Sequence, residues 1–312
     1  MTDAPPVVAR GLVKRYGDLV AVDHVDLTVE RGDVFGYLGP NGAGKTTSLR
    51  MLLGLIRPSD GRAELFGRDP LVEGARALDG VAGFVEGPAF YPYLSARRNL
   101  ELLADYDDGP RSRIDEVLEL AELRDRAGDR VGGYSHGMKQ RLGIAASLLR
   151  APRLLLLDEP TTGLDPAGMR DMRELVRRLA REGITILLSS HLLYEVEELC
   201  NRVAIVRRGH VVYEGSLQAL KASAASGYAL RAVDVDTARR VAHSVAGIGD
   251  VAVVEGELRF TAGEDAVAQL TVALGRAGVG FTALLPRSAS LEDLFLDLTE
   301  GEPAAPLVQE VA

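Results

Sequence analysis

The stretch "GPNGAGKTT", residues 39–47, decides the fold of this 312-residue chain. It matches the pattern G-x-x-x-x-G-K-[ST], follows the apolar stretch "VFGYL" (34–38) and precedes the helical stretch "TTSLRMLLGL" (46–55). Glycines let a loop between a strand and a helix curl so that its backbone N–H groups point at phosphate oxygens. The positive N-terminal end of the helix adds to this attraction. The sequence therefore predicts a phosphate-binding loop on an α/β sheet.

The pattern also assigns roles within the loop. Lys45 is expected to reach the β- and γ-phosphates of a nucleotide, and the hydroxyl of Thr46 is expected to ligate Mg²⁺. The residues expected to surround the nucleotide phosphates are Gly39, Pro40, Asn41, Gly42, Ala43, Gly44, Lys45, Thr46 and Thr47.

A second stretch, "LLLLDEP" (154–160), places two carboxylates at the end of an apolar strand. Asp158 is expected to hold Mg²⁺ through its water shell, because magnesium keeps much of its hydration in proteins. Glu159 would orient and deprotonate an attacking water. An Asp-Glu pair at a strand end is also common as a simple solvated end. Its combination with the phosphate-binding loop favours nucleotide hydrolysis.

Alternating strands and helices predict an α/β sheet covered by helices. The strands are expected near Val7–Val13, Val25–Val29, Val34–Leu38, Ala63–Phe66, Leu154–Leu157, Ile184–Ser189 and Val203–Val206. We predict a nucleotide-binding domain over residues 1–220 with a helical subdomain at about 87–150. Residues 221–300 have the order β-α-β-β-α-β of a small α+β, ferredoxin-like domain. A disordered tail is expected over 301–312.

Composition limits the classes of partner. The chain has 36 basic and 45 acidic residues, a net charge of −9, which is unfavourable for binding nucleic acid. The single cysteine, Cys200, excludes an internal disulfide and fits a reducing compartment. We find no signal peptide and no apolar run of about 20 residues, the length that spans a bilayer. Any role at a membrane is therefore expected to need a partner.

The stretch "YSHGMKQR" (134–141) places a serine beside a histidine. A hydrolytic serine needs its base within hydrogen-bond reach and a third group to orient that base, and nothing nearby provides this arrangement. Ser135 and Gly137 instead precede the helical stretch "MKQRLGIAASLLR" (138–150), whose N-terminus can attract an anion. Two interpretations remain open from the residues alone, half of a phosphate site and a plain helix cap.

Taken together, "GPNGAGKTT", "YSHGMKQRLGIA", "LLLLDEP", "TTGLDP" and "SSHLL" resemble the nucleotide-binding subunits of ABC transporters, over about residues 7–216. The stretches "VEGPAFYPYLSARRNL" and "SLEDLFLDLTEG" are most similar to cassettes that serve exporters of bacitracin-, lantibiotic- and daunorubicin-type antibiotics. The resemblance implies a P-loop NTPase fold with a mostly parallel core sheet, an antiparallel β part and a helical subdomain. It also implies ATP and Mg²⁺ as cofactors.

Further site residues follow from the resemblance. Tyr16 would stack on adenine, although a core tyrosine is an alternative. Ser135, His136 and Gly137 occupy the family signature that binds the γ-phosphate of ATP held by the opposing subunit, with His136 where the family has glycine. Asp165 would communicate across the dimer interface.

Three more expectations concern the γ-phosphate, the metal and the permease. His191 would contact the γ-phosphate. Glu86 stands where most of the family has glutamine and would enter the Mg²⁺ shell, although an exposed loop carboxylate is the alternative. The aromatic cluster "FYPY" (90–93) would either pack in the core or dock the membrane partner.

We therefore expect an ATPase that works as a homodimer and drives export of a drug, peptide antibiotic or other amphipathic compound through a separate permease. It would be cytoplasmic, bound to the inner face of the membrane through that permease, with no nucleic-acid partner. The alternative is a soluble ABC-type ATPase that acts on nucleic acid or the ribosome. The acidic balance disfavours that alternative.

Overall fold

The computed structural model describes residues 4–106, 111–223 and 227–287, together with Leu291, Leu294, Phe295, Leu298 and Leu307–Val308. The chain divides into two compact units, Met1–Leu217 with Glu302–Ala312, and Gln218–Gly301. Most of the predicted last helix (290–301) and of the predicted tail (301–312) lies outside the described residues.

The strands and helices of the described part have the following bounds. The strands are β1 (Val7–Tyr16), β2 (Leu19–Val29), β3 (Val34–Leu38), β4 (Asp60–Leu65), β5 (Val81–Phe84), β6 (Leu154–Asp158), β7 (Thr185–Ser190), β8 (Arg202–Arg207), β9 (His210–Ser216), β10 (Gly227–Ala232), β11 (Ile248–Val254), β12 (Glu257–Ala262), β13 (Phe281–Arg287) and β14 (Leu307–Val308). The helices are α1 (Lys45–Leu52), α2 (Pro70–Glu73), α3 (Ala96–Tyr106), α4 (Ile114–Leu120), α5 (His136–Leu148), α6 (Pro166–Arg181), α7 (Leu193–Leu199), α8 (Leu217–Ser223), α9 (Val235–Ser244) and α10 (Glu264–Arg276).

The first unit is built on a seven-stranded sheet with the order β14-β9-β8-β3-β7-β6-β5. The neighbouring strands β8, β3, β7, β6 and β5 are parallel, and β9 pairs with β8 in the antiparallel direction. Every residue of β3, β6 and β7 is buried, because helices cover both faces of a parallel sheet. The predicted mostly parallel core sheet is confirmed.

The antiparallel β part is a second sheet of three strands, with the order β2-β1-β4. One hydrophobic cluster joins this sheet, β3, α1 and β6, and it contains the buried side chains Leu12, Phe35, Leu49 and Leu156. The helices α3, α4 and α5 lie in the stretch between β5 and β6, where the sequence predicts the helical subdomain.

The second unit contains an antiparallel sheet with the order β11-β12-β10-β13. In chain order the elements run β10, α9, β11, β12, α10 and β13, so the first and third strands of the unit are the central pair. This is the ferredoxin-like arrangement that the sequence predicts. Its core contains Leu230, Leu258, Phe260, Leu270 and Leu274. No helix among the described residues is long and apolar enough to cross a membrane.

Candidate active site

The site lies where four adjacent parallel strands end. The carboxyl ends of β3, β7, β6 and β5 meet at one edge of the sheet, the usual ligand edge of α/β folds. The loop 39–47 follows β3, His191 follows β7, Glu159 follows β6 and Glu86 follows β5. Residues far apart in the sequence are therefore brought together by strand order alone.

A cleft of about 490 Å³ opens at this edge. Its lining residues are Tyr16, Leu19, Ala21, Asn41, Gly42, Gly44, Lys45, Thr46, Thr47, Glu159, Thr162 and His191. The side chains of Tyr16 and Leu19 are 47% and 65% exposed, so they form an accessible apolar wall. Tyr16 is thus not a core tyrosine. Nζ of Lys14 lies 5.1 Å from the centroid of its exposed ring, and stacking of that ring on a base stays a prediction.

The loop 39–47 needs glycine at two points where other backbone comes close. A Cβ on Gly44 would lie 2.4 Å from the carbonyl oxygen of Ala21, and Gly44 has φ +102°. A Cβ on Gly39 would lie 2.5 Å from the carbonyl oxygen of Val206. Both contacts exclude a side chain. A loop that binds phosphate through its backbone N–H groups requires such positions without a side chain.

Lys45, the first residue of α1, is buried, with only 6% of its side chain exposed. Its Nζ donates to the carbonyl oxygens of Gly39, at 2.7 Å, and Pro40, at 3.2 Å. The same Nζ lies 3.1 Å from Oε1 of Glu159. The ammonium group is therefore held between the loop and Glu159, and its contact with a phosphate stays a prediction.

Asp158 is buried and accepts hydrogen bonds at both carboxylate oxygens. The hydroxyl of Thr46 donates to Oδ2 at 2.9 Å, and the hydroxyl of Ser189 donates to Oδ1 at 2.6 Å. A hydroxyl and a carboxylate are hard oxygen ligands of the kind Mg²⁺ takes, with phosphate oxygens and water completing its octahedron. The pair Thr46–Asp158 thus fits a magnesium ion.

Glu159 has φ +49°, an uncommon conformation for a residue with a side chain. Its Oε2 lies 2.5 Å from Nδ1 of His191 and accepts from the hydroxyl of Thr162 at 2.9 Å. Burial alone would raise the pKa of Glu159. The charge of Lys45 and the hydrogen bonds from His191, Lys45 and Thr162 outweigh it and hold this pKa below its ordinary value.

The backbone of Glu86, rather than its side chain, contacts the site. Its N–H lies 3.3 Å from Oδ2 of Asp158, and its carboxylate is hydrogen-bonded to the guanidinium of Arg50. The side chain of Glu86 is 63% exposed. A place for this carboxylate in the Mg²⁺ shell therefore stays a prediction, and it requires the contact with Arg50 to break.

The signature segment, Tyr134–Arg141, begins the helix α5. Ser135 caps this helix, its Oγ accepting from the N–H of Met138 at 3.3 Å. Nε2 of His136 lies 3.0 Å from the carbonyl oxygen of Thr162. Of the described residues, Ser135, His136 and Gly137 do not line the cleft of their own chain. Their place in a nucleotide site therefore requires a second chain.

Asp165 caps α6, its carboxylate accepting from the N–H of Gly168 at 2.8 Å. It shares the loop 159–165 with Glu159 and Thr162. The cluster at 90–93 is a surface feature, since Tyr91 and Tyr93 are 54% and 64% exposed with ring centroids 5.8 Å apart. Core packing of these two tyrosines, one of the sequence interpretations, is wrong.

Sequence reasoning missed three residues that support the site. Ser189 bonds both Asp158 and the N–H of Glu159, and the register of β6 with β7 places it opposite Asp158. Aligning the ends of the two apolar strands would have found it. Thr162 and Arg50 give no comparable signal, because their contacts with Glu159 and Glu86 depend on loop conformation.

Comparison with known proteins agrees with this geometry. Residues 22–162 match the family model described as ABC transporter. The chain is 47% identical over 212 residues to the bacitracin transport ATP-binding protein of Bacillus licheniformis, covering 67% of this chain and 69% of that protein. It is 37% identical over 317 residues to a daunorubicin resistance ATP-binding protein of Streptomyces coeruleorubidus, covering 94% and 95% of the two chains.

A solved structure supports the fold. A chain from Clostridium perfringens, described as part of an ABC transporter complex, superposes with a TM-score of 0.64 at 25% identity. The superposition covers 76% of this chain and 94% of that one.

Proposed function

Because the chain belongs to the ATP-binding subunits of ABC transporters, which hydrolyse ATP, dimerise and work with a membrane permease, we propose that the cleft at the sheet edge is its hydrolytic site. The observation that carries this assignment is the meeting of Lys45, Thr46, Glu159 and His191 around one 490 Å³ cleft, with Asp158 hydrogen-bonded to Thr46. Three separate segments of the sequence supply the groups that phosphoryl transfer needs.

The residues divide the work by their chemistry. The loop N–H groups and Lys45 bind and orient the phosphates, and the ring of Tyr16 stacks on the adenine base. Thr46 and Asp158 would hold Mg²⁺, which neutralises charge that develops on the phosphates. Glu159 accepts the proton of the attacking water. His191, at 2.5 Å from Glu159, keeps that carboxylate in place and faces the γ-phosphate.

A complete site takes two copies of the chain. Ser135 and Gly137 present the exposed N-terminus of α5, which can bind the γ-phosphate held by the partner. We propose a homodimer that closes on two ATP molecules and reopens after hydrolysis, with Asp165 at the interface. The signature segment does not line the cleft of its own chain, and this supports the arrangement.

The transported compound is proposed from the relatives. Their names concern bacitracin transport and daunorubicin resistance. We assign this chain to export of a drug, peptide antibiotic or other amphipathic compound from the cytoplasmic face of the membrane. The exposed pair Tyr91 and Tyr93 would dock the permease. No specific observation favours the alternative of action on nucleic acid or the ribosome.

The test of the site is a single substitution. Glu159→Gln should keep ATP binding but lower ATP hydrolysis by about 10²–10⁴-fold, because the amide cannot accept a proton. Nucleotide binding by fluorescence and phosphate release are measured on the same preparation. Hydrolysis near the wild-type rate would move the base role to another group.

Export is tested separately from hydrolysis. The chain and a membrane permease that co-purifies with it are expressed in a drug-sensitive host, and the minimum inhibitory concentrations of peptide and anthracycline antibiotics are measured. Protection that disappears with Glu159→Gln supports the proposal. A functional ATPase whose permease-containing vesicles accumulate none of these compounds would overturn the export assignment and leave the ATPase assignment standing.

A further inference from the structure

His136 contacts the catalytic segment of its own chain. Its Nε2 lies 3.0 Å from the carbonyl oxygen of Thr162. A carbonyl oxygen only accepts, so this ring nitrogen carries the proton and donates it. The ring also covers Gly163, where a Cβ would lie 3.3 Å from Cδ2 of His136. Beside it, a Cβ on Gly137 would lie 3.5 Å from Leu164.

Thr162 connects this contact to the catalytic carboxylate. Its hydroxyl donates to Oε2 of Glu159 at 2.9 Å, and its N–H donates to the carbonyl oxygen of Glu159 at 3.1 Å. Glu159 has φ +49°, a conformation that persists only where surrounding contacts fix it. Because His136 holds the carbonyl of Thr162, it contributes to fixing the turn that aims Glu159.

We propose that His136 is a positioning residue that couples the signature segment to Glu159 of the same chain through Thr162. The inference rests on the proposed function, since it takes Glu159 as the base and the signature segment as half of the partner's site. The contacts of His136 and Thr162 lie within one chain. The effect of His136 on Glu159 is therefore measurable even where the signature segment of that chain binds no ATP.

A heterodimer with one working site separates this role from direct contact with the partner's ATP. Chain one carries Ser135→Arg, and chain two carries Lys45→Ala, each with a different affinity tag. The working site then combines Lys45 and Glu159 of chain one with Ser135 of chain two. His136→Leu, which removes the donor, is introduced into chain one or into chain two.

The proposal predicts that His136→Leu in chain one lowers kcat by about 2- to 10-fold, the size of one lost hydrogen bond. The KM for ATP should stay unchanged. His136→Gln in chain one should restore at least half of the rate, because its Nε2 donor lies at a similar distance from the backbone. His243→Leu on α9, in the second unit, is the matched control and should leave kcat unchanged.

The remaining outcomes of this experiment show whether the role of His136 or the composite site is wrong. An unchanged kcat for His136→Leu in chain one, or a loss confined to chain two, would overturn this inference alone. Equal losses for the Gln and Leu variants would also overturn it, because the hydrogen bond would then not be the route. An inactive reference heterodimer, with His136 intact in both chains, would overturn the composite site and the inference with it.

Discussion

Lys45 and Glu159 form an ion pair that nucleotide binding is expected to change. The amine of Lys45 is shared among two loop carbonyls and the carboxylate of Glu159. A phosphate at the loop competes for the same amine, so nucleotide binding is expected to release Glu159 from its ion pair. The carboxylate then loses the charge that lowers its pKa and becomes a better base.

The lowered pKa of Glu159 predicts a pH-dependent contribution to stability. Its ordinary pKa is 4.5, and in the folded chain it is lower. The ionised carboxylate therefore stabilises the fold at pH values above 4.5, and this contribution is lost as pH falls through the lowered pKa. The difference in Tm between wild type and Glu159→Gln, measured from pH 3 to 7, should shrink on acidification.

The background variant Lys45→Met is the control for that measurement. Without the ammonium group, the pKa of Glu159 should rise, and the pH dependence of the same Tm difference should weaken. A Tm difference with the same pH profile in both backgrounds would show that Lys45 does not set the pKa of Glu159.

Glu86 gives a prediction about the metal. Its backbone lies against Asp158, so breaking the contact with Arg50 would let the carboxylate turn toward the Mg²⁺ position. A carboxylate oxygen is a better hard ligand than an amide oxygen. Glu86→Gln should keep much of the ATPase activity but need more Mg²⁺ for the half-maximal rate. Superimposable Mg²⁺ titrations of the two proteins would exclude the metal role.

Among the single residues of the site, the sequence predicted those that belong to short, local motifs. Two local motifs, each a strand and the loop that follows it, predicted Lys45, Thr46, Asp158 and Glu159. The structure brings these residues together. The contact of His136 with Thr162 joins positions 26 apart and depends on how α5 packs on the loop. No periodicity or propensity encodes that packing. The roles of all these side chains in hydrolysis stay proposals.

Among the elements, the apolar strands were the most predictable. β3, β6 and β7 are continuous buried runs, and their predicted positions agree with the structure within one or two residues. The strands β5 and β9 were missed. β5 has only four residues, with Gly83 packed so closely that a Cβ would lie 1.9 Å from the carbonyl oxygen of Leu156. β9 mixes buried and polar positions. Both depend on pairing with a neighbour.

The packing of α5 on the loop after β5 predicts an effect of a glycine substitution. A Cβ on Gly143 would lie 2.6 Å from Cγ of Pro88, whose ring cannot move aside easily. Alanine normally favours a helix by up to about 1 kcal/mol over glycine, but the overlap costs about 1–3 kcal/mol. Gly143→Ala should therefore lower the free energy of unfolding, measured by urea denaturation, by up to about 2 kcal/mol.

The helix α10 offers the matched control. Gly275 is exposed near the end of that helix, and a Cβ there meets nothing within 4 Å. Gly275→Ala should raise stability by about 0.5–1 kcal/mol, because only helix propensity changes. Equal effects of the two substitutions would show that α5 does not press on Pro88.

At the scale of the whole molecule, one chain contains only part of the proposed ATP site. The cleft is lined by part of the loop 39–47, Glu159 and His191, and Ser135 is not among its described lining residues. Under the proposed function, one chain supplies the groups that bind and hydrolyse ATP, and its exposed α5 N-terminus would supply an anion site to another chain. The sequence indicated this division only through its family resemblance. Composition and spacing left a plain helix cap open as the alternative.

This division predicts that hydrolysis depends on protein concentration. If Lys45 of one chain must meet Ser135 of another, the ATPase rate per chain at saturating ATP and Mg²⁺ should rise with concentration and then level off. In the dilute limit, before saturation, doubling the chain concentration should roughly double the rate per chain, as mass action requires of a weak dimer. Glu159→Gln, which binds ATP without hydrolysing it, should accumulate as a dimer in analytical ultracentrifugation. A rate per chain that stays constant down to concentrations at which only monomer sediments would mean that each cleft is complete by itself, and that Ser135 is a helix cap alone.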